Sequence, residues 1–442
     1  MPSWRQPSYF LPPTSDHKTN TMKQFFFLLL FTLSLLSCGK KSSGGGDEPT
    51  DTTAVTETLE YIDTLPPGTP MTHPGGLQVA EDFTRIKSAL ASNTEPWVSG
   101  WNKLTANSHA QLTYTASPTV KLIRGGNTPE ESQPDNYSHA FNDVAAAYQT
   151  GLRWKISGDT TYAEKSIQIL NAWASTCTTL SGDPNIALAA GIYGYQFAIA
   201  GELMRDYKNW KAADFAKYQQ WMLTVFYSYN HNFLLSHQNS CPDLFWANWD
   251  LCNIASTMAI GILADKRYIY NEAVNYFQRG VGNGNIRKAI NYVWKDQGLA
   301  QLQESGRDQG HATLVISLLG TICEMSYHQG DDFYGYNSNR FLKASEYTAK
   351  YNVANLSVPF QSYTYYNCST TTTLTQISSD ARGTVRPMWA MIYNHYVKRK
   401  GLTAPYTLMG VQTTQPEGGG GDYGPNSGGF DQLGFGTLLY TR

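Results

Sequence analysis

Residues 144–174 read VAAAYQTGLRWKISGDTTYAEKSIQILNAWA. Val144 to Tyr148, with Leu152, Trp154 and Ile156, recur at helical spacing until Gly158 stops the pattern. Asp159 then caps a second helix that carries Tyr162, Ala163, Ile167, Ile169, Leu170, Ala172 and Trp173. The same alternation of striped helix and polar break continues on both sides. One helix reads from Leu77 to Leu90, and others at about 186–206, 211–229, 244–264, 267–280, 309–328, 332–350 and 387–399. Strand-like alternation is confined to short pieces, Val120 to Ile123 and Tyr363 to Tyr366. About ten helices in antiparallel succession are too many for a simple bundle. The economical arrangement is an all-α fold, an (α/α) toroid or incomplete barrel of helical hairpins over 71–442, with two rings and one open cleft at the loop end.

The chain has 442 residues, of which 41% are hydrophobic and 15% charged, with a formal charge of −2. That balance excludes a disordered tail and a strongly basic nucleic-acid binder, so no nucleic-acid partner is expected. Aromatic residues make up 13%, enough to fill a core and leave rings for a cleft that binds sugars. Ahead of the helices, Met22-Lys23 and the apolar run Phe25 to Leu36 are too short for a membrane helix and read as a signal peptide, with residues 1–21 an upstream extension. The run ends Leu35-Leu36-Ser37-Cys38-Gly39, a lipobox in which Cys38 takes the lipid. Membrane contact is then expected only through that anchor, at the periplasmic or outer-membrane surface. Residues 39–70, rich in Gly, Ser and Thr, read as a flexible tether. Five cysteines follow Cys38, an odd number without zinc-ligand spacing, and Cys241 and Cys252 could pair in an oxidising compartment.

Three clusters can carry chemistry. Gln303-Glu304-Ser305-Gly306-Arg307-Asp308-Gln309-Gly310-His311 is a dense polar run at a helix entrance. If Asp308 or Gln309 begins that helix, His311 sits in its first turn, where the dipole favours a neutral imidazole able to act as a base. Arg307 is then within reach of a substrate carboxylate. The bland alternative is a cap at Asp308 and an Arg307–Glu304 ion pair. The second cluster, Phe245-Trp246-Ala247-Asn248-Trp249-Asp250, puts an amide between rings, which suits either a sugar site or a core with a capped helix. The third places Arg386 at a helix mouth before Pro387, with Trp389, Tyr393 and Tyr396 in one stripe. His139 precedes an apolar helix and is a further cleft candidate. No metal-ligand spacing, phosphate loop, dinucleotide fingerprint or nucleophile elbow occurs, so neither metal nor cofactor is expected.

With these residues the sequence resembles the alginate lyase superfamily of helical-toroid polysaccharide lyases over roughly residues 73–396. The carriers are His73-Pro74-Gly75-Gly76-Leu77, Pro96-Trp97 with Trp101 and Leu104, the hairpin around Gly158-Asp159, Asn248-Trp249, Tyr347 to Asn352 and, above all, Gln303 to His311. Members place an Asn-His pair, then an Arg and a Tyr seven residues on, in the active site. Asn248 matches the Asn and Arg307 the Arg, but Trp249 stands at the His and Leu314 at the Tyr. The resemblance implies β-elimination on a uronic-acid polymer, most of all alginate. Asn248 and Arg307 would neutralise the C6 carboxylate, His311 or a tyrosine would take the C5 proton, and Tyr393 would protonate the leaving O4. His139, Trp249, Gln303, Glu304 and Arg386 are the expected substrate contacts. The same toroid suits a glycoside hydrolase with two carboxyl groups, or a non-catalytic glycan-binding surface lipoprotein. The sequence leaves the oligomeric state open.

Overall fold

Two helices, α1 (Ala80–Ala91) and α2 (Trp97–Ala106), precede the hairpin read above. In the computed structural model, which describes residues 60–442, that hairpin is α3 (Ser138–Ser157) and α4 (Thr160–Thr176). Gly158 ends α3 at φ +79°, a left-handed position open to glycine, and Asp159 accepts from Thr161 N at 3.0 Å to start α4. There follow α5 (Ile186–Met204), α6 (Ala212–Trp221), α7 (Ser228–Ser236), α8 (Ala247–Leu263), α9 (Arg267–Arg279) and the single turn α10 (Ile286–Ala289). The chain continues through α11 (Gln309–His328), α12 (Tyr336–Asn352), α13 (Trp389–Tyr393), α14 (Pro405–Thr414) and α15 (Gly436–Tyr440). A π turn over Met222–Tyr227 joins α6 to α7 in one long rod. Strands are short: β1 (Lys121–Ile123) pairs in parallel with β2 (Thr179–Ser181). β3 (Tyr292–Trp294) with β4 (Leu299–Gln301), and β5 (Tyr363–Tyr366) with β6 (Thr371–Leu374), are antiparallel hairpins.

The helices form two rings because two kinds of helix are present. Every residue of α5 but Leu188 is buried, and every residue of α8 but Trp249. A helix buried on every side is enclosed by neighbours, and α3, α5, α8 and α11 pack side by side in that order as the inner ring. α5 is also long and apolar enough to cross a membrane, yet 94% of its apolar window is enclosed in this ring. Small residues let α5 and α8 close up: a Cβ on Gly191 would fall 2.3 Å from Cys252 Sγ. The helices α4, α6–α7, α9 and α12 return on the outside. Each inner helix is separated from the next by one returning outer helix, so inner helices run parallel and open their N-termini on one mouth. Their positive dipole ends converge there. The ring closes through residues the periodicity left unassigned. α15 packs against α13, α1 and α2, and Arg85 of α1 donates to the Leu439 carbonyl at 2.8 Å.

Two expectations change. The Cys38 anchor, the signal segment and most of the tether lie outside the described residues, but the tether does not extend to 70. Gln278 is fully buried and exchanges two hydrogen bonds with the Ile62 backbone, at 2.9 and 2.7 Å. Asn271 donates to Leu65 O and Arg267 to Pro70 O, both at 2.7 Å, while Arg279 covers the Tyr61 ring. Residues 61–70 are therefore a strap on α9. Starting the chain at Met71 should lower the melting temperature by roughly 5 °C, because the buried donors of Gln278, Asn271 and Arg267 lose their acceptors. Starting it at Glu60 should leave the melting curve unchanged. The second change is the disulfide, which joins Cys241 to Cys368 rather than to Cys252. Cys252 is fully buried in α8 against Gly191 and out of reach.

Candidate active site

The N-terminus of α8 has a problem that the segment 303–311 solves. Its N-cap is Trp246, which has no side-chain acceptor, so the first amides need partners from elsewhere. Gln303 Oε1 accepts from Ala247 N at 3.1 Å, and Glu304 Oε1 accepts from Asn248 N at 2.8 Å. Glu304 also accepts from Asn248 Nδ2 at 2.6 Å and from Arg307 Nη1 at 3.0 Å, all with no exposure of its own. Gln303 and Glu304, expected as substrate contacts, thus face inward and act as a cap in trans. Asn248 lies under this network, 1% exposed, with one amide N–H fixed on Glu304.

Above the network stand Arg307 and His311, with side chains 24% and 35% exposed, the most open of this cluster, beside Asp308 at 21%. Asp308 is the N-cap of α11 and accepts from His311 N at 2.8 Å, as the spacing predicts. The ion pair of Arg307 with Glu304 is present as well, so the bland alternative describes half of the cluster. Its other half is chemical. His311 Nδ1 lies 2.6 Å from Asp308 Oδ2, and its Nε2 lies 3.2 Å from Arg307 Nη2. A guanidinium can only donate, so Nε2 accepts and Nδ1 carries the proton. The imidazole is neutral, with its lone pair directed at the arginine. Burial opposes ionisation of Asp308, yet the hydrogen bonds from the His311 ring and backbone and the charge of Arg307 outweigh it and hold the carboxyl below its usual value.

A hairpin forms the roof. Tyr365 of β5 stacks on Trp246 at 4.3 Å with planes 8° apart, and the Arg307 guanidinium lies 5.1 Å from the Trp246 centroid. Tyr363, also on β5, donates its hydroxyl to Gln303 O. Burial, reinforced by Glu304, raises its pKa well above that of an ordinary phenol and keeps it protonated. The Cys241–Cys368 disulfide ties the hairpin tip to the segment before α8. Tyr363 escaped the sequence reading because its strand shows only alternation; nothing local marks it as facing Arg307.

The remaining expected residues go elsewhere. Trp249 packs among Phe245 and Phe233 as a wall of the core. Arg386 is paired with Asp431 at 2.8 Å and donates to Gly310 O at 3.3 Å, a staple between α11 and the C-terminal segment. His139 Nδ1 donates to Ser117 O, 2.8 Å away, one turn from Asp143, which accepts from Trp173 of α4; this is the outer face of α3. Tyr393 closes α13, past its first turn, and among the described residues no hydrogen bond joins it to Asn248, Arg307 or His311.

An (α/α) toroid whose inner helices open on an arginine and a neutral imidazole has the architecture of a polysaccharide lyase. A profile of the alginate lyase family matches residues 92–357. The chain belongs to the alginate lyase family and is a polysaccharide lyase. Solved structures share the fold. Alginate lyase A1-III from Sphingomonas species A1 superposes with a TM-score of 0.53 at 15% identity, over 86% of this chain and 100% of that one. A variant of alginate lyase A1-III complexed with tetrasaccharide gives 0.56 at 16%, over 85% and 97%. An alginate lyase from Bacteroides ovatus gives 0.52 at 13%, over 84% and 100%. No curated protein matches the chain significantly.

Proposed function

We propose that the protein cleaves an alginate-like polyuronate by β-elimination at the Arg307–His311 pair. Arg307 turns from His311 to the C6 carboxylate of the reacting sugar and spreads its charge, which acidifies the C5 proton. That movement frees Nε2 of His311 to take the proton, with Asp308 holding the imidazole and balancing its new charge. The C5–H pair becomes the C4–C5 double bond, the C4–O4 bond breaks, and O4 leaves with a proton. Tyr363, protonated and beside Arg307, is the donor in this scheme, in place of Tyr393. Asn248 supports the carboxylate site from below through Glu304. The observation that carries the proposal is the 3.2 Å contact that fixes a neutral imidazole beside an exposed arginine.

The carboxyl groups of this region are poorly placed for hydrolysis. Glu304 is buried on three donors, Asp250 is buried on His237 and Gly284 N, and Asp308 is held by His311. Purified protein incubated with polymannuronate, polyguluronate and glucuronan should generate the near-ultraviolet absorbance of an unsaturated uronate on at least one of them. New reducing ends without that absorbance would mean hydrolysis and overturn the proposal. A lipid on Cys38 and a place on the cell envelope belong to the same proposal, supported by the apolar run Phe25 to Leu36 before that cysteine.

A further inference from the structure

Beside Tyr137, which precedes α3, and Tyr193 of α5 stands another arginine. Arg124 follows β1, half-buried, with its guanidinium 4.9 Å from the Tyr137 centroid and one Nη donating to the Tyr193 hydroxyl at 3.4 Å. No carboxylate comes within ion-pair distance of it among the described residues. Asp431, the acid whose field it feels, is paired at 2.8 Å with Arg386 instead. A guanidinium has five N–H donors, so most of those on Arg124 are unused.

Its backbone is held firmly. Arg124 N donates to Ser181 O at 3.2 Å, and the next two amides, Gly125 N and Gly126 N, both donate to Asp135 Oδ1. A Cβ on Gly182 would fall 1.8 Å from Arg124 O, so the chains touch there. An arginine fixed in this way, walled by two rings and short of acceptors, suits a planar anion that brings its own oxygens.

We infer that Arg124, framed by Tyr137 and Tyr193, is a second carboxylate subsite, binding a uronate of the polymer other than the one that reacts at Arg307. This rests on the polyuronate assignment above. It makes the substrate a chain with at least two carboxylates engaged at once, and it gives Arg124 a part in binding but none in the elimination.

The test separates the two roles. Arg124→Ala and Arg124→Gln, each checked for an unchanged melting curve, should raise KM on polyuronate roughly tenfold or more while kcat stays within about twofold, as expected when a charged hydrogen bond common to ground and transition states is lost. In a His311→Gln background, a saturated tetra-uronate titrated by calorimetry should bind more weakly by the same factor when Arg124 is also replaced. Unchanged KM and Kd would overturn the inference, and so would a fall in kcat at constant KM. If the wild-type protein made no unsaturated product, the lyase assignment would fall, while the titration would still judge Arg124 by its effect on Kd.

Discussion

Replacing His311 with Gln should lower kcat by roughly 10²- to 10⁴-fold, the range over which a positioned general base contributes, and leave the fold intact. Glutamine keeps a donor for Asp308 and is well tolerated in the first turn of a helix, so the expected change in melting temperature is small. The proton on Nδ1 and the lone pair on Nε2 make the neutral form the working one. Tyr363→Phe should cut kcat as well, because its role is to give a proton. If His311→Gln retains the rate, the base lies elsewhere. Arg307→Lys offers an internal comparison: it keeps a charge for Glu304 but loses the paired N–H fork, so kcat should drop with little loss of stability.

Glu304→Ala should be the most destabilising single change at the site, by about 3 kcal/mol or more. The carboxylate is wholly buried and serves Asn248 N, Asn248 Nδ2 and Arg307 Nη1 together. Alanine leaves the α8 amide and Arg307 Nη1 without the acceptor they share, and removal of one partner from a buried pair leaves the other uncompensated. Chemical denaturation should show a lower midpoint at an unchanged slope. Glu304→Gln should lose less, since its carbonyl oxygen still caps α8. The opposite pattern, full stability with abolished turnover in Glu304→Gln, would make Glu304 a catalytic acid facing the cleft and would revive hydrolysis.

Local rules made much of this molecule legible. Gly158 stopping α3, Asp159 starting α4 and Asp308 capping α11 are interactions within one helical turn, and the predominantly apolar sequences of α5 and α8 point to enclosure without any knowledge of neighbours. The polar run 303–311 was visible as a site for the same reason: Arg307, Asp308 and His311 are mutual neighbours along one stretch of chain. Pairings between distant segments leave no such trace. Glu304 caps a helix 56 residues away, Cys241 finds Cys368 at a separation of 127 residues, and Gln278 holds Ile62 across 216. Only the closed ring brings Tyr363 rather than Tyr393 beside Arg307, turns His139 outward, and sets Arg124 against Tyr137 and Tyr193. Helical periodicity fixes which way a side chain points on its own helix, whereas what it meets depends on how every other helix packs, and that is a property of the assembled core.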